Sequence, residues 1–566
     1  MKKLILTAPL LFIVLATALH ANAQVGGDGS SYVGRPRYDA ARYTGENAGV
    51  KINKAMAAAV LTGGVVYVPA SIGNIATRVI VESGTRLEFG TGTFTFSVPS
   101  YTGATPTVAS YGWQIEMKNN SQVVGQGMRE TILRESTAGL TGGLRQYSVI
   151  GAYNHKPGGG DENFTGVSTG FYIADLQITE AIGSTWFNSA QSTLSLGNLH
   201  DSVIERVRLY KTHTLGITLG GIGSSLDRSK ESNNVIVQNC EFDSVASQNL
   251  NVVNGDNIQF INNRFVRGGY PSGSASNWTF IDLETNTPED QLNNIIVAGN
   301  IFDNRFPLRY DTSTTVSSVN TATDIFAAAG VSIINGTSVR LTSTGTLPAP
   351  LVSGTTYYAV STDYGATTKV AASFANAVAR IPVTIDLTTT GTGTVTLTAN
   401  GANIVGHAIS VSNASDAVQG NIVIANNAIY GGNSDSTYDG AITNNMPSGI
   451  FLSDVHDIVI TGNIIQRTGQ SAIQSYESSR LSITNNIFRH VAGGGNVAII
   501  FNNTFYSLVS GNTQTDGNQG GTVQTGGIGA VETGASNYNR FINNIGMPLL
   551  VKTGAQTVDV GNTPWR

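Results

Sequence analysis

Apolar and polar residues alternate over short stretches of this chain, and pairs of such stretches are separated by a polar corner. The window NNVIVQNCEF, which begins at Asn233, shows the pattern: a β-branched strand, a corner containing Asn, and a second strand. A period of two and a surplus of β-branched residues indicate strands rather than helices. Similar windows begin at Asp256, Asn293, Gly420, His456 and Ser479, with weaker copies at His200 and Asn537.

The eighth residue of each window marks the repeat period, and in most windows it is Asn. The markers are Cys240, Asn263, Asn300, Asn427, Asn463 and Asn486. Their separations are 23, 37, 127, 36 and 23 residues, and all but one fall within the roughly 20–50 residues typical of a solenoid. The pattern therefore predicts an all-β parallel β-helix of about ten coils, with Ile, Val, Leu and Phe stacked inside.

The Asn corners have a structural explanation. Asn tolerates left-handed backbone, and its amide bonds to neighbouring backbone groups, so it suits tight corners. At equivalent corners of successive coils the amides would also bond to one another in a ladder. We therefore interpret these residues as turn-forming residues and not as ligands.

The 127 residues between Asn300 and Asn427 are too many for one coil. Subtracting a coil of roughly 37 residues leaves about 90, which is enough for a small domain. Residues 310–400 lose the Asn corners and become rich in Thr, Val and Ala, so we expect an inserted β module there. The β-helix would then occupy residues 24–309 and 401–546, and residues 547–566 would form a C-terminal tail or cap.

From about Tyr38 to Asn544, apart from the insertion, the chain resembles the pectate lyase-like superfamily of right-handed parallel β-helices. In that superfamily a short helix caps the open core, and a first strand ending near a proline starts the first coil. Here an amphipathic pattern runs from Asn47 to about Val60, and GGVVYVPAS follows from Gly63. The run YDAARYTGENAG replaces the superfamily's acidic-glycine run before the helix. The resemblance implies a right-handed β-helix that works on an extended carbohydrate.

The first residues have the features of an export signal. Lys2 and Lys3 precede an apolar run over residues 4–18, and Ala-Asn-Ala at residues 21–23 provides a cleavage site. The apolar run is shorter than the about 20 residues that a membrane-spanning helix needs. We therefore predict a signal peptide over residues 1–23 and a secreted or periplasmic protein that leaves the membrane once the signal is removed.

Composition narrows the classes of partner. Charged residues make up 12% of the chain and the net charge is −5, so no basic stripe indicates a nucleic-acid partner. Cys240 is the single cysteine, which excludes an intramolecular disulfide and a zinc site built from cysteines. Long coils extend loops that would wall a groove along the β-helix, and a long groove fits a polysaccharide as the partner.

The best candidate for chemistry is a carboxylate pair in NWTFIDLETNTPED, which begins at Asn277. With Ile281 and Leu283 facing the core, Asp282 and Glu284 point outward on one strand face, about 6.5–7 Å apart. Inverting glycosidases place their general acid and general base roughly 6.5–9.5 Å apart. We predict that both carboxylates are catalytic and exposed on a groove wall; the alternative is that they are solvated surface groups or hold calcium.

The pair loosely resembles the acidic pair that iota-carrageenases and polygalacturonases carry on equivalent outer faces. The double-Asp, Gly-His-Gly and Arg-x-Lys set of polygalacturonases is absent from this sequence. The resemblance therefore implies paired carboxylates on an outer sheet face without identifying a family.

Neighbouring coils supply candidate substrate-binding residues. Asn251 precedes the carboxylate pair by one coil, and His213 precedes Asn251 by one more. Gln474 and Tyr476 lie beyond the insertion on the outward phase. We expect Asn251, Gln474 and Tyr476 within about two coils of the pair, roughly 10 Å, because amides and aromatic side chains suit sugar sites.

Several functions fit this pattern. The first is hydrolysis of an extracellular or cell-wall polysaccharide, which requires no cofactor. A lyase or epimerase of the same fold would need a base such as Lys211, Arg264 or Arg267, and often calcium, but no lyase motif frames these residues. The remaining alternatives are a non-catalytic surface or adhesion β-helix and a phage-derived depolymerase, the latter because the insertion is similar to β modules of phage tail proteins.

Overall fold

The computed structural model describes residues 34–97, 114–135, 149–152, 155–156, 163–164, 166–179, 192–212, 215–220, 231–245, 247–268, 279–304, 310–327, 338–360, 367–377, 382–402, 406–413, 417–431, 448–468, 471–489, 491, 497–515, 529–547 and 549–562. The predicted signal peptide and His213 lie outside these residues.

One face of the molecule is a parallel sheet of thirteen strands, called the first sheet below. Each coil contributes one strand, and each strand pairs in parallel with the strand of the next coil. Its strands are Val79–Val81, Ile115–Met117, Ile150–Ala152, Ser192–Leu196, Leu215–Leu219, Leu250–Val252, Ile281–Glu284, Ile409–Ser412, Ser448–Ser453, Ser471–Tyr476, Ile499–Asn502, Ala530–Thr533 and Leu549–Val551.

The rest of each coil belongs to a second parallel sheet of 27 strands, which bends at the corners. Its strands are Arg37–Asp39, Val65–Val68, Arg86–Phe89, Gly92–Phe96, Gln122–Val124, Thr131–Glu135, Ser168–Thr169, Tyr172–Thr179, Leu199–Tyr210, Ser232–Gln238, Glu241–Asp243, Gly255–Ile261, Arg264–Val266, Gln291–Asn293, Ile296–Ala298, Ile301–Asp303, Val418–Gly420, Ile422–Ala425, Ala428–Tyr430, Ile458–Thr461, Ile464–Gln466, Ser482–Thr484, Ile487–Arg489, Leu508–Ser510, Thr513–Thr515, Arg540–Ile542 and Val558–Val560. A two-stranded antiparallel pair, His155–Lys156 with Asn163–Phe164, stands apart.

The predicted fold is confirmed: the chain is a parallel β-helix, with a helix near its N-terminus and an inserted β module. Thirteen strands in the first sheet exceed the about ten coils expected. The expectation was too low because coils before residue 230 lack the Asn corner from which the repeat was recognised. The last coils also extend beyond the predicted end at residue 546, since Leu549–Val551 and Val558–Val560 both pair in parallel with the preceding coil, the first of them with a register shift.

The core is a continuous stack of apolar side chains along the helix axis. Because side chains in a strand alternate between faces, every second residue of a coil enters this core. Phe265 lies between Phe242 and Phe302, with ring centroids 4.9 Å and 4.7 Å apart and interplanar angles of 11° and 4°. Identical residues at one register position therefore bury their faces against each other from coil to coil.

The predicted Asn ladder is present along one corner. The Nδ2 of Asn427 donates to Oδ1 of Asn463 at 3.0 Å, and Oδ1 of Asn427 accepts from Nδ2 of Asn300 at 3.0 Å. Nδ2 also donates to the carbonyl of Val297 at 2.9 Å. The ladder runs through Asn263, Asn300, Asn427, Asn463, Asn486, Asn512, Asn544 and Asn562. Each buried amide is therefore satisfied by the coils on either side.

The residue before each ladder Asn performs the turn. Asn426 has φ 56° and Gly462 has φ 67°, in the left-handed region that Asn and Gly enter at low cost. The recurring Asn-Asn and Gly-Asn pairs thus divide two tasks, since the first residue turns the backbone and the second extends the ladder.

The N-terminal end of the core is covered by the helix Ala48–Ala59, preceded by Asn47 as its N-cap. The Asn47 side chain accepts hydrogen bonds from the backbone N–H groups of Gly49 and Val50. The helix buries Ile52 and Met56, and it matches the helix expected from Asn47 to about Val60. Short 3₁₀ turns lie at Ala40–Arg42 and Ala70–Ile72.

At the opposite end the apolar stack ends in a polar group. Glu532 occupies an inward position next to Phe501 and is fully buried. Its Oε1 accepts from Nδ2 of Asn539 at 2.8 Å and from Oγ1 of Thr557 at 2.9 Å. These neutral donors allow a carboxyl group to lie in the core, where an unpaired one would be costly.

Residues 310–402 form an antiparallel sheet with its own buried cluster, which includes Phe326, Leu341 and Leu397. The strands are Tyr310–Thr315, Ser318–Asn320, Ile325–Ala327, Ser338–Ser343, Thr356–Val360, Thr367–Ala371 and Val395–Ala402, with a short helix at Phe374–Ala377. We call this unit the inserted module.

Among the described residues, no helix is both long and apolar enough to span a membrane.

Candidate functional site

Asp282 and Glu284 lie on the strand Ile281–Glu284, the seventh of the thirteen strands in the first sheet. Ile281 and Leu283 are fully buried in the core, in register with apolar residues of the coils on both sides. The side chains of Asp282 and Glu284 therefore project from the outer face, as the alternation predicted, about 6.5–7 Å apart along the strand.

The expected exposure of both carboxylates is wrong for Asp282. Asp282 is only 5% exposed, whereas Glu284 is half-buried. Nε2 of Gln248 donates a hydrogen bond to Oδ2 of Asp282, and the hydroxyl of Ser410 bonds to the same carboxyl group. Asp282 is shielded because side chains from the coils on both sides close over it.

This environment changes the acidity of both carboxyl groups. Burial, together with the negative charge of Glu284, raises the pKa of Asp282 to about 7, against hydrogen bonds from Ser410 and Gln248. Burial also raises the pKa of Glu284, against a side-chain hydrogen bond from Asn251. A carboxyl group with a pKa near neutrality can hold a proton and donate it, which is what a general acid requires.

Asn251 lies beside the pair, as the sequence predicted, because it is in register with Asp282 on the adjacent strand. Its Nδ2 donates to Oε1 of Gln248 at 3.3 Å, and Gln248 in turn donates to Asp282. Asn251 also bonds to Glu284. The amides of Asn251 and Gln248 thus connect the two carboxylates. No pattern in the sequence indicates Gln248, which lies just before the strand Leu250–Val252.

Gln474 and Tyr476 lie farther from the pair than expected. Asp282 is in register with Ser410, then Phe451, then Gln474, so Gln474 is three strands away. Tyr476 lies on the same strand as Gln474 and is in register with Glu284 through Ser412 and Ser453. Three strand spacings are about 14 Å, not the two coils predicted, because two strands intervene between the pair and Gln474. His213 is outside the described residues.

A run of rings connects this second group to the pair. The imidazole of His407 stacks on Phe451 with centroids 4.5 Å apart and an interplanar angle of 14°. Phe451 contacts Tyr476 at 5.6 Å and 39°. Phe451 lies one strand beyond Ser410, which bonds to Asp282, so the aromatic surface begins next to the carboxylates. Sequence reasoning missed His407 and Phe451; an aromatic at an outward strand position was the available signal.

The residues considered as lyase bases lie elsewhere. Arg264 contacts Glu241 at 3.6 Å and Asp303 at 4.0 Å on the second sheet. Nε of Arg267 donates to Asp243 at 2.8 Å, and the Lys211 ammonium lies 5.2 Å from the ring centre of Tyr210. None of the three is on the first sheet.

The described residues contain no group of three or more His, Cys, Asp and Glu side chains arranged to hold a metal ion. The arrangement around Asp282 is instead one of paired carboxyls and neutral donors, which suits proton transfer to and from hydroxyl and ether oxygens.

No protein-family model matches the sequence, and no curated protein matches it. Several solved structures are similar in fold. The A-module of the mannuronan C-5 epimerase AlgE4 from Azotobacter vinelandii gives a TM-score of 0.46 at 13% identity, covering 92% of this chain and 100% of that chain. PfbA, a surface adhesin of Streptococcus pneumoniae, gives 0.43 at 12%, covering 90% and 92%.

A tailspike protein of E. coli bacteriophage HK620, solved in complex with a hexasaccharide, gives a TM-score of 0.41 at 12% identity, covering 98% of this chain and 72% of that chain. Similarities at this level concern the fold alone, and the function has to be argued from the residues of the site.

Proposed function

We propose that this protein hydrolyses a polysaccharide, with Asp282 as general acid and Glu284 as general base. The observation that carries the proposal is the pair itself: two carboxylates on one outer strand face, one shielded and one half-exposed. Shielding favours the protonated form of Asp282, and partial exposure gives Glu284 access to water.

In this reaction Asp282 donates its proton to the glycosidic oxygen as the bond to the anomeric carbon breaks. Glu284 removes a proton from a water molecule, whose oxygen forms the new bond to that carbon. The separation of about 6.5–7 Å along the strand leaves room for this water, as inversion of configuration requires. Afterwards both carboxyls exchange protons with solvent and return to their starting states.

Asn251 and Gln248 position the two carboxyl groups, and the rings of Phe451 and Tyr476 would support a sugar unit farther along the sheet. The predicted signal peptide would place the reaction outside the cytoplasm, where long polysaccharides occur.

The test compares Asp282→Asn and Glu284→Gln with wild-type protein on a panel of polysaccharides, with new reducing ends as the readout. We expect each substitution to lower the rate at least 100-fold, in line with the 10²–10⁴-fold contribution of general acid–base catalysis. Glu130→Gln, at an exposed turn carboxylate, is the matched control and should retain full activity.

Ultraviolet absorbance of the products separates hydrolysis from elimination, because only a lyase forms an unsaturated sugar. Full activity of both site variants on a polysaccharide that the wild-type protein cleaves would reject the proposal. Products that absorb ultraviolet light would also reject it.

A further inference from the structure

Among the described strands of the first sheet, those around the carboxylate pair carry no positively charged side chain. Nine consecutive strands, from Ser192–Leu196 to Ala530–Thr533, contain no Lys, Arg or His. The acidic residues on these strands are Asp282, Glu284 and Glu532, and Glu532 faces the core. The described face is therefore uniformly neutral or negative over the middle of the sheet.

Two arginines precede the carboxylate pair in the sequence. Arg264 and Arg267 lie at the second sheet, in contact with carboxylates. Their charges are already compensated.

Among the described residues, the groups that bond to the pair or to its partners are neutral donors, and aromatic rings begin two strands away. Gln248 and Asn251 present amides, and Ser410 presents a hydroxyl. Burial lowers the pKa of His407 to about 4, although a hydrogen bond with the backbone of Ser448 opposes this. The imidazole beside Phe451 is therefore uncharged at neutral pH.

We infer that the site takes an uncharged glycan rather than a uronate- or sulfate-bearing one; this rests on the proposed function of the same site. A charged sugar next to Asp282 and Glu284 would bring further negative charge into a shielded region without a counter-charge, and like charges at such distances repel strongly. Abstraction of a proton beside a uronate carboxylate would further need a cation to neutralise that carboxylate. Amides, a hydroxyl and aromatic faces match the hydroxyls and C–H faces of neutral sugars.

The experiment measures binding first and cleavage second. Wild-type protein is tested at pH 8 and low salt against neutral, uronate-bearing and sulfated polysaccharides by affinity electrophoresis. For the polymers that bind, each uronan is compared with its carboxyl-reduced form, which has the same linkage and length. We expect the tightest ligands to be neutral, and a carboxyl-reduced polymer to bind at least tenfold tighter than its parent.

The double variant Asp282→Asn/Glu284→Gln provides the internal check. Removing both charges should reduce the preference for the reduced polymer to less than threefold, whereas Glu130→Gln should keep the wild-type ratio. A wild-type preference for an anionic polymer would overturn the inference, as would failure to bind any neutral polymer in the panel.

The binding and cleavage experiments test the substrate class and the hydrolysis independently. Cleavage of a uronan that depends on Asp282 would retain the hydrolase and reject the neutral substrate. Binding of neutral glycans without new reducing ends would retain the substrate class and reject hydrolysis.

Discussion

Residue types that look equivalent in the sequence have opposite tasks in this β-helix. The ladder amides, such as Asn427, are buried and fully bonded to the coils on either side, whereas Asn251 lies on the outer face and bonds to site residues. The two kinds of Asn differ in their position within the coil, one at a corner and the other on the outward side of a strand. A corner amide has fixed partners in every coil, while an outward amide depends on what its neighbours happen to be.

Asn427→Ala should destabilise the protein by about 2–6 kcal/mol, because it removes the acceptor of the buried Asn300 backbone N–H and side-chain amide and one donor to the Val297 carbonyl, at about 1–3 kcal/mol for each buried group that loses its partner. Denaturant unfolding measures the change. Asn562→Ala, at the partly buried end of the same ladder, is the matched control and should cost less than half as much. Equal losses at the two positions would contradict the cooperative ladder.

Asp282 should make stability and activity depend on pH. Its pKa rises from 3.8 to about 7 on folding, so the folded state binds more protons than the unfolded chain between about pH 4 and pH 7. The free energy of unfolding therefore falls as pH rises through that window. Asp282→Asn removes this dependence, and its melting temperature should exceed that of wild type above pH 7 and approach it near pH 4.

In the proposed mechanism the rate of hydrolysis by the wild-type protein should fall above about pH 7, as Asp282 loses the proton that it would donate. A pH–rate profile that is flat from pH 6 to pH 9 would be incompatible with Asp282 as the acid.

At the scale of single residues, the alternation of apolar and polar residues was sufficient to predict that Asp282 and Glu284 face outward. It was insufficient to predict the shielding of Asp282, because Gln248 and Ser410 come from other coils, and Ser410 follows the whole inserted module. Loop lengths differ from coil to coil, so the sequence alone does not place such residues opposite one another.

At the scale of elements, the inserted module interrupts the sequence without interrupting the sheet. Ile281–Glu284 pairs directly with Ile409–Ser412, residue by residue, from one side of the module to the other. The module has its own buried cluster around Leu341 and Leu397. Its place between the two strands could be predicted from the spacing of the Asn corners, while the pairing of its own strands could not, because that segment has no repeat.

Replacing residues 310–402 by a short Gly/Ser linker should leave a folded β-helix, because both flanking strands keep their partners. Circular dichroism should retain a β spectrum, and thermal unfolding should stay cooperative, with a melting temperature within about 10 °C of wild type. Loss of the cooperative transition would mean that the module completes the core.

At the scale of the whole molecule, the carboxylate pair lies at the midpoint of the first sheet, with six strands on each side. Six strand spacings correspond to about 29 Å, so an extended chain can lie across the site in both directions. The early coils that place the pair at the middle were not evident from the Asn repeat, because their corners use other residues. The midpoint was therefore visible only in the structure.

A site with surface on both sides should cut within a polymer rather than at its ends. We expect size-exclusion chromatography of an early digest to show a rapid fall in mean polymer length with a broad range of oligosaccharides. Release of a single small sugar from the start, with the mean polymer length unchanged, would mean that the protein cleaves at chain ends. That result would contradict this prediction.

The pairing of strands on either side of the module also has a kinetic consequence. Thr285 and Asn413, which bond at 2.7 Å, are 128 residues apart. In a chain that emerges from its N-terminus at about 5–20 residues per second, the strand Ile281–Glu284 would wait about 6–25 s for its next partner. During that time it is a growing edge, and an unpaired edge invites association with other chains. Asp282 and Glu284, the two proposed catalytic acids, are charges on this edge, so we expect Asp282→Asn/Glu284→Gln to lower the soluble yield even though the finished fold should tolerate it.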